Sequence, residues 1–304
     1  MVLPITLRQL EYFVSAAQAG SMTKAATEQY VSQSAISLAI GDLERAVGTQ
    51  LLLRRRGRGL SLTAAGRHML ADARDLLGRA GDLVNETRTL GEDLQGTLAV
   101  ACYDTIAPFL VPRLLTTFGE RYPDLTVDLH GGNMADLHTQ VSDGRCEMFI
   151  SYDLDLAADI ETVLLQPTAP YVLLGEGHHL AEQPEISLET LVGESLVLLD
   201  HPQPSHYFLS LFQTANLQPT IGYRTTSFEL VRSLVARGHG YSLLIQRPSS
   251  DVSYEGIGLV CRQLHQPTQT LNIVIGTPAG ARLTRRATAF ISHCVEQLGP
   301  DGHR

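Results

Sequence analysis

The chain has 304 residues, 44% of them hydrophobic, which is enough for two or three domains with sizeable cores. No apolar run approaches the roughly 20 residues a membrane crossing needs, and there is no signal-peptide pattern, so a cytoplasmic protein is expected with no membrane partner. The formal charge of −9 is unevenly placed: residues 1–70 hold 8 Lys/Arg against 4 Asp/Glu (+4), and the rest 15 against 28 (−13). An acidic body with a basic tip excludes broad contact with a polyanion and confines any nucleic-acid contact to the tip.

The tip opens with Thr6-Leu-Arg-Gln9, a capping-box pattern. Leu10, Phe13, Val14 and Ala17 then form one apolar helical face. Gly20 stops that helix and Ser21 caps a short second one, whose Ala25 and Ala26 let another helix cross closely. Tyr30-Val31 turns the chain into Ser32, a third cap. The third helix places Ile36, Ala39, Ile40, Leu43 and Val47 inward and ends at Gly48. A short helix, a tight turn and a longer helix form a helix-turn-helix, which sets the longer helix in a major groove. Two strand-like segments follow, Gln50 to Leu53 and Gly59 to Leu62, with Arg54, Arg55, Arg56 and Arg58 between them. As a wing, this hairpin lays guanidinium groups on phosphates or into the minor groove. On the third helix Gln33, Ser34, Ser37, Leu38 and Gly41 face outward; Gln bonds adenine bidentately and Leu touches thymine methyls.

The residues Ser21, Ala25-Ala26, Val31-Ser32-Gln33-Ser34-Ala35-Ile36-Ser37, Leu43-Glu44, Leu51-Leu52, Arg54 and Leu62-Thr63-x-Ala65-Gly66 resemble the N-terminal signature of the LysR-type transcriptional regulators. The chain departs from that pattern at Leu52, where the family usually has Phe, and at Leu38 and Gly41-Asp42, where a longer polar or basic residue is common. Base preference therefore does not carry over. The DNA-facing set on this resemblance is Ser21, Lys24, Ser32, Gln33, Ser34, Ser37, Leu38, Arg54, Arg55, Arg56 and Arg58.

Past Gly66, Met69, Ala73, Leu76, Ala80, Leu83, Thr87, Leu90 and Leu94 recur at alternating 4 and 3, a heptad seam with no proline across residues 63–95. Periodicity alone fits either an amphipathic helix resting on its own domain or one pairing with a copy of itself. The resemblance implies the second, a linker helix that makes a dimer, with a tetramer built through the C-terminal domains.

From Gln95 short apolar strands alternate with helical patterns. Strands are expected at 98–102, 125–129 and 148–150, with helices from Pro108 to Arg121 and over 134–143. A second series has strands at 171–174, 196–199, 220–224 and 241–245 and helices near 187–192, 206–215 and 227–237. Such alternation argues for α/β subdomains with mainly parallel sheets. Gln166-Pro167 and Gln266-Pro267 bracket the second series, and a last strand (271–275) and helix (284–298) return to the first lobe. The expected architecture is a multi-domain α+β chain. A winged helix-turn-helix (1–62) and a long linker helix (63–94) precede a two-lobed α/β effector-binding domain, distantly similar to periplasmic binding proteins. Lobe 1 is 95–166 with 268–304, and lobe 2 is 167–267.

Two-lobed α/β domains bind ligands where strand ends meet helix starts across the cleft. Four segments qualify: Tyr103-Asp104-Thr105-Ile106, Ser151-Tyr152-Asp153, Asp200-His201-Pro202 and Thr226-Ser227-Phe228-Glu229. Near Thr105, hydroxyls and free helix N–H groups suit an anion. Thr226 with Glu229 also has capping-box form, and Asp104, Asp153 and Asp200 can equally be turn residues. If the three acids point inward, the effector also donates hydrogen bonds. The resemblance assigns effector contacts to the first and last segments, names a small organic acid or aromatic compound as effector, and implies promoter DNA and RNA polymerase as partners, with no cofactor.

Rival classes lack their marks. There is no G-x-S-x-G, Walker loop, H-E-x-x-H or complete dinucleotide fingerprint, so no enzyme is indicated. A metal sensor would use His178-His179 or His201 with His206. A redox sensor would want a thiol pair within one lobe, yet residues 170–260 hold no cysteine and Cys102, Cys146, Cys261 and Cys294 stand far apart with no CxxC. A solute-binding protein would lack the first ninety residues.

Overall fold

The computed structural model describes residues 4–55, 59–88, 94–266 and 271–299. Three helices open the chain, α1 (Leu7–Ala19), α2 (Met22–Glu28) and α3 (Gln33–Val47). Each starts where a hydroxyl is available to take a free amide: Thr6 with Gln9 forms a complete capping box, Ser21 accepts from Lys24 N–H, and Ser32 accepts from Ala35 N–H at 3.2 Å. Gly20 (φ 60°) and Gly48 (φ 73°) end α1 and α3 in the left-handed region, where a Cβ would be strained. Phe13, Ala25, Ile36 and Leu43 are fully buried at the crossing. Val47, expected inward, is 37% exposed, because the apolar face has rotated past the core by the last turn of α3. The wing is an antiparallel pair, β1 (Leu52–Arg55) and β2 (Gly59–Leu62), with Leu52 opposite Leu62.

The following helix, α4 (Ala64–Arg88), answers the heptad question in part. Its first turns pack on their own domain: Leu70 and Ala73 are buried with α1, and Met69 and Leu77 lie against the same core. Leu76 is 44% exposed. The side chains of Leu83 and Thr87, and residue Leu90, lie outside the described residues. Leu94 is not helical and packs against the core of the C-terminal half.

Lobe 1 is a five-stranded sheet in the order β4-β3-β5-β13-β6, built from β3 (Gly96–Tyr103), β4 (Leu125–Gly132), β5 (Met148–Tyr152), β6 (Ile160–Thr168) and β13 (Leu271–Pro278). Strand β3 is parallel to β4 and β5, whereas β13 runs antiparallel to both its neighbours. The sheet is therefore mixed, not mainly parallel. Strand β6 has no place in the sequence expectation; it carries Pro167, which an edge strand tolerates. Helices α5 (Ala107–Arg121), α6 (Met134–Ser142) and α10 (Arg285–Leu298) cover the sheet, with Phe118 of α5 edge-on to Phe290 of α10 at 5.0 Å. The C-terminal strand β13 pairs with β5 and β6 of this sheet.

Lobe 2 holds β7 (Tyr171–Gly175), β8 (Glu185–Ile186), α7 (Leu188–Leu191), β9 (Ser195–Leu199), α8 (Pro202–Thr214), β10 (Thr220–Thr225), α9 (Phe228–Ala236), β11 (Ser242–Leu244) and β12 (Leu259–Leu264). Its sheet is ordered β11-β7-β12-β8, with a parallel pair β9-β10 joined through a Leu196–Tyr241 bridge. Strands β8 and β12 are further additions to the expected set. Strands β11 and β12 run antiparallel to β7, so this lobe too is mixed. Val231 and Val235 of α9 seal the face against Leu173, Val197 and Leu199. Among the described residues no helix is long and apolar enough to cross a membrane.

Candidate functional site

At the N-terminal tip, α3 presents Gln33 and Ser34 at its first turn and Leu38, 65% exposed, one turn on. The Thr23 hydroxyl of α2 donates to Gln33 Oε1 at 3.2 Å, which orients the amide that would meet a base edge. Ser32 and Ser34 bond each other at 2.9 Å, so Ser32 serves both as helix cap and as part of this rim. Ser21 caps α2 beside exposed Lys24. Tyr30, not singled out from sequence, is 96% exposed with φ 54° at the turn between α2 and α3. Arg54 and Arg55 lie on β1 facing Leu60 and Gly59, and Arg56 and Arg58 lie outside the described residues.

Between the lobes lies a cavity of about 780 Å³. Lobe 1 lines it with Asp104, Thr105, Pro108 and Phe109; lobe 2 lines it with His201, Thr226, Ser227, Phe228 and the segment that carries Ser250 to Tyr254. Five of the residues expected from sequence thus meet here: Asp104, Thr105, Thr226, Ser227 and Phe228. Two aromatic contacts span the lobes, Phe109 with Phe228 at 5.3 Å and Tyr103 with His201 at 6.0 Å between ring centres. Behind the cavity, Gln246 of lobe 2 donates to the Tyr152 hydroxyl of lobe 1 at 3.2 Å.

The two walls differ in what they offer. On lobe 1 the first-turn amides of α5 are mostly taken: Ile106 N–H bonds Tyr103 O at 2.9 Å, Phe109 N–H bonds Ile106 O at 3.0 Å, and Pro108 has no N–H. The free N–H groups expected beside Thr105 are thus fewer, and the side-chain groups this wall offers are the Thr105 hydroxyl, which also bonds Tyr152, and the Asp104 carboxylate. On lobe 2 the cap of α9 is Ser227, not Thr226: its Oγ accepts from Leu230 N–H at 3.2 Å. The Thr226/Glu229 box does not form because Glu229 is engaged elsewhere, accepting from Arg232 Nε at 3.0 Å and from Tyr254 N–H at 2.7 Å. Ser227 keeps its own proton for an acceptor, next to helix amides that by position have no intrahelical partner. Arg232, 2% exposed, anchors the cavity wall by donating to Ser250 O at 2.9 Å and Val252 O at 2.6 Å, while its Nη1 is buried without a partner. The Arg232 anchor had no place in the sequence expectation, and Phe109 and Tyr254 carried no local signal; His201 belongs to the expected Asp200-His201-Pro202 segment.

Other expected residues lie outside the cavity lining. Ile106 is fully buried in the lobe core. Asp153 accepts from Asn272 N–H at 2.9 Å and from its side-chain amide at 2.6 Å, so it ties β5 to β13. Asp200 pairs with Arg224 at 3.3 Å, and Pro202 is the exposed first residue of α8. Tyr103 and Tyr152 are buried behind the cleft, and the Tyr103 hydroxyl has no partner. Burial holds both phenols above their ordinary range, Tyr152 at about 12.

Among the described residues His178, His179 and Glu194 form the one grouping of three metal-capable side chains. His178 Nδ1 accepts from Leu180 N–H at 3.2 Å, which places the ring proton on Nε2, facing Glu194 at 3.6 Å. A nitrogen that carries a proton toward a carboxylate has no lone pair for a metal, so the geometry is that of a structural pair. His201 instead bonds Thr226 O at 2.9 Å, away from His206. Burial pushes the thiols up, Cys146 and Cys261 to about 11, Cys294 to about 12 and Cys102 further. All four are free, and thiols so protonated are poor nucleophiles at neutral pH.

Comparison with known proteins matches both halves in chain order. Residues 7–67 match the bacterial regulatory helix-turn-helix protein family of lysR type, and residues 91–299 match the LysR substrate binding domain. The crystal structure of HinK, a LysR family transcriptional regulator from Pseudomonas aeruginosa, is 35% identical, with 97% of this chain and 99% of that one covered at a TM-score of 0.67. The uncharacterized HTH-type transcriptional regulator YvbU of Bacillus subtilis is 26% identical over 98% of this chain and all of its own length. The DNA-binding transcriptional dual regulator OxyR of Escherichia coli is 28% identical over 94% of this chain and 95% of its own length. The chain belongs to the LysR family: it is a DNA-binding transcriptional regulator with a C-terminal effector-binding domain.

Proposed function

We propose that the chain senses a small organic anion held between Thr105 on one lobe and Ser227 on the other, and converts it into a change in promoter binding. The observation that carries this is that both lobes line a single cavity whose lobe 2 side offers a free hydroxyl proton and a helix N-terminus. An acceptor such as a carboxylate fits there, and Asp104 on the facing wall suits a hydroxyl or amine of the same molecule. Phe109 and Phe228 suit an apolar or aromatic body. The four protonated thiols, three of them buried, support small-molecule sensing over redox sensing.

A ligand that touches both lobes favours one hinge angle by its differential affinity for the two states. With the chain as a dimer through α4, and a tetramer through its effector domains, a changed angle re-spaces the DNA-binding tips and alters which half-sites are engaged together. The proposed units are 1–62, 63–94, 95–166 with 268–304, and 167–267. Promoter DNA is met by Gln33, Ser34, Ser37 and Leu38 in the major groove and by the Arg54–Arg58 wing on phosphates. RNA polymerase is the downstream partner, in the cytoplasm.

The test uses the metabolites of neighbouring genes in a thermal-shift screen, then a mobility shift on the protein's own promoter region. Thr105→Val and Ser227→Ala are expected to weaken the effector found without abolishing the mobility shift, whereas Gln33→Ala costs about 1–3 kcal/mol at one base position only. Wild-type effector binding in both cleft variants would move the ligand site elsewhere.

A further inference from the structure

A second cavity, of about 490 Å³, lies outside the cleft, where Gln18 of α1 and the outer face of α4 meet lobe 1. Its lining is rich in guanidinium groups: Arg74 and Arg79 come from α4, Arg145 follows α6, and Arg282 precedes α10. The acids nearby have partners of their own: Asp143 lies 3.7 Å from Arg145 and Asp72 lies 3.9 Å from His68. Asp75 takes two bonds from Arg79, at 2.7 and 3.1 Å, and Glu147 accepts from Thr284 at 2.6 Å.

Arg74 is the residue left in deficit. It donates once, from Nη1 to the Asp143 carbonyl at 2.5 Å, and this bond ties α4 to the end of α6. Its Nε and Nη2 are buried with no partner. Burial, followed by the positive charge of Arg145, holds its pKa down at about 10. A desolvated cation with two unmet donors beside a second cation carries a cost that an anion would remove. The geometry of two guanidinium forks suits an oxyanion. The volume exceeds what a single phosphate fills.

We propose that this junction binds a small multivalent oxyanion, bridged between Arg74 of α4 and Arg145 of lobe 1, as an input separate from the cleft. Because its two walls belong to the linker helix and to the effector lobe, the bound anion clamps one to the other. The metabolite's charge, not an apolar body, is what the site reads.

Calorimetric titration of the full-length protein with pyrophosphate, and separately with citrate, at constant ionic strength tests this. One site per chain is expected for at least one probe, with sodium chloride giving no saturable heat. Arg74→Met should lower the affinity about tenfold or more, the effect of losing a charge-assisted hydrogen bond, and Arg145→Gln, an exposed position that leaves the core untouched, should lower it severalfold. Thr105→Val should bind the probe as wild type does, which separates this site from the cleft. Pyrophosphate alone binding assigns a phosphoryl ligand; both binding assigns multivalent charge as such. The proposal is overturned if neither probe saturates by millimolar concentration, or if Arg145→Gln and a folded Arg74→Met both bind like wild type.

Discussion

The two walls of the effector cleft are made by different physics. On lobe 1, Thr105 is 7% exposed and follows a central strand whose end is fully buried, so its position is set by a packed sheet. On lobe 2, the wall is a helix cap and an irregular segment, and one buried cation, Arg232, holds that segment through Glu229 and two carbonyls. A wall set by packing changes little when a ligand arrives. A wall held by one hydrogen-bonded hub depends on that residue for its order.

The largest effect should come from removing the hub. Arg232→Met leaves Glu229 half-desolvated and the Ser250 and Val252 carbonyls unmet, a loss of about 3 kcal/mol on the scale of a broken buried pair. Urea unfolding of the effector domain should show it, with DNA binding by the tip retained. If stability is unchanged, lobe 2 is not organised by this residue and the contrast between walls fails.

On lobe 1 the opposite sign is expected. Tyr103 hides a hydroxyl without a partner, so Tyr103→Phe should raise stability by about 1 kcal/mol and leave effector affinity intact, since the ring lies behind the cavity and not in its lining. Loss of effector affinity in this variant would mean that the hydroxyl reaches the ligand.

The smallest effect is one the lobes share. Burial depresses the imidazole of His178 in lobe 2 and of His293 in lobe 1 below the ordinary 6.5. A histidine whose folded pKa is lowered binds its proton more readily when unfolded, so each contributes stability above about pH 6.5 that is lost as the pH falls toward the folded value. Thermal unfolding between pH 7.5 and 5 (a range of roughly two to three units around that value) should therefore decline more gently in His178→Gln and His293→Gln than in wild type. Equal slopes would remove both residues from the acid response.

Legibility from sequence followed the range of the forces involved. Each helix of the tip carries its start and stop within a few residues, as with Thr6 and Gln9 or Ser32 and Gly48, so the whole tip could be read locally. Strand β6 could not: Ile160–Thr168 is mostly exposed, lacks alternation and contains Pro167, and it is a strand because β13 pairs with it more than a hundred residues later. The same holds for β12, which pairs back to β7. In the cleft, the pattern pointed to Thr226 with Glu229 as the cap, whereas Ser227 caps α9 and Glu229 is claimed by Arg232. Hydroxyls at helix starts were visible; the aromatic partners across the cleft were not, since only the closed tertiary arrangement brings Phe109 to Phe228.

The placement of β13 between β5 and β6 also sets an order of events during synthesis. The buried core of the tip, from Leu10 to Ala73, is drawn from the first ninety residues alone and can form as soon as they leave the ribosome. Lobe 2 is complete once β12 has emerged. Lobe 1 is started first yet closed last, because its sheet stays split, with β6 unpaired, until residues 271–278 arrive. A nascent chain thus passes through a stage in which it has a DNA-reading head and no finished sensor, and the last strand to be made is the one that gives the regulator its ability to listen.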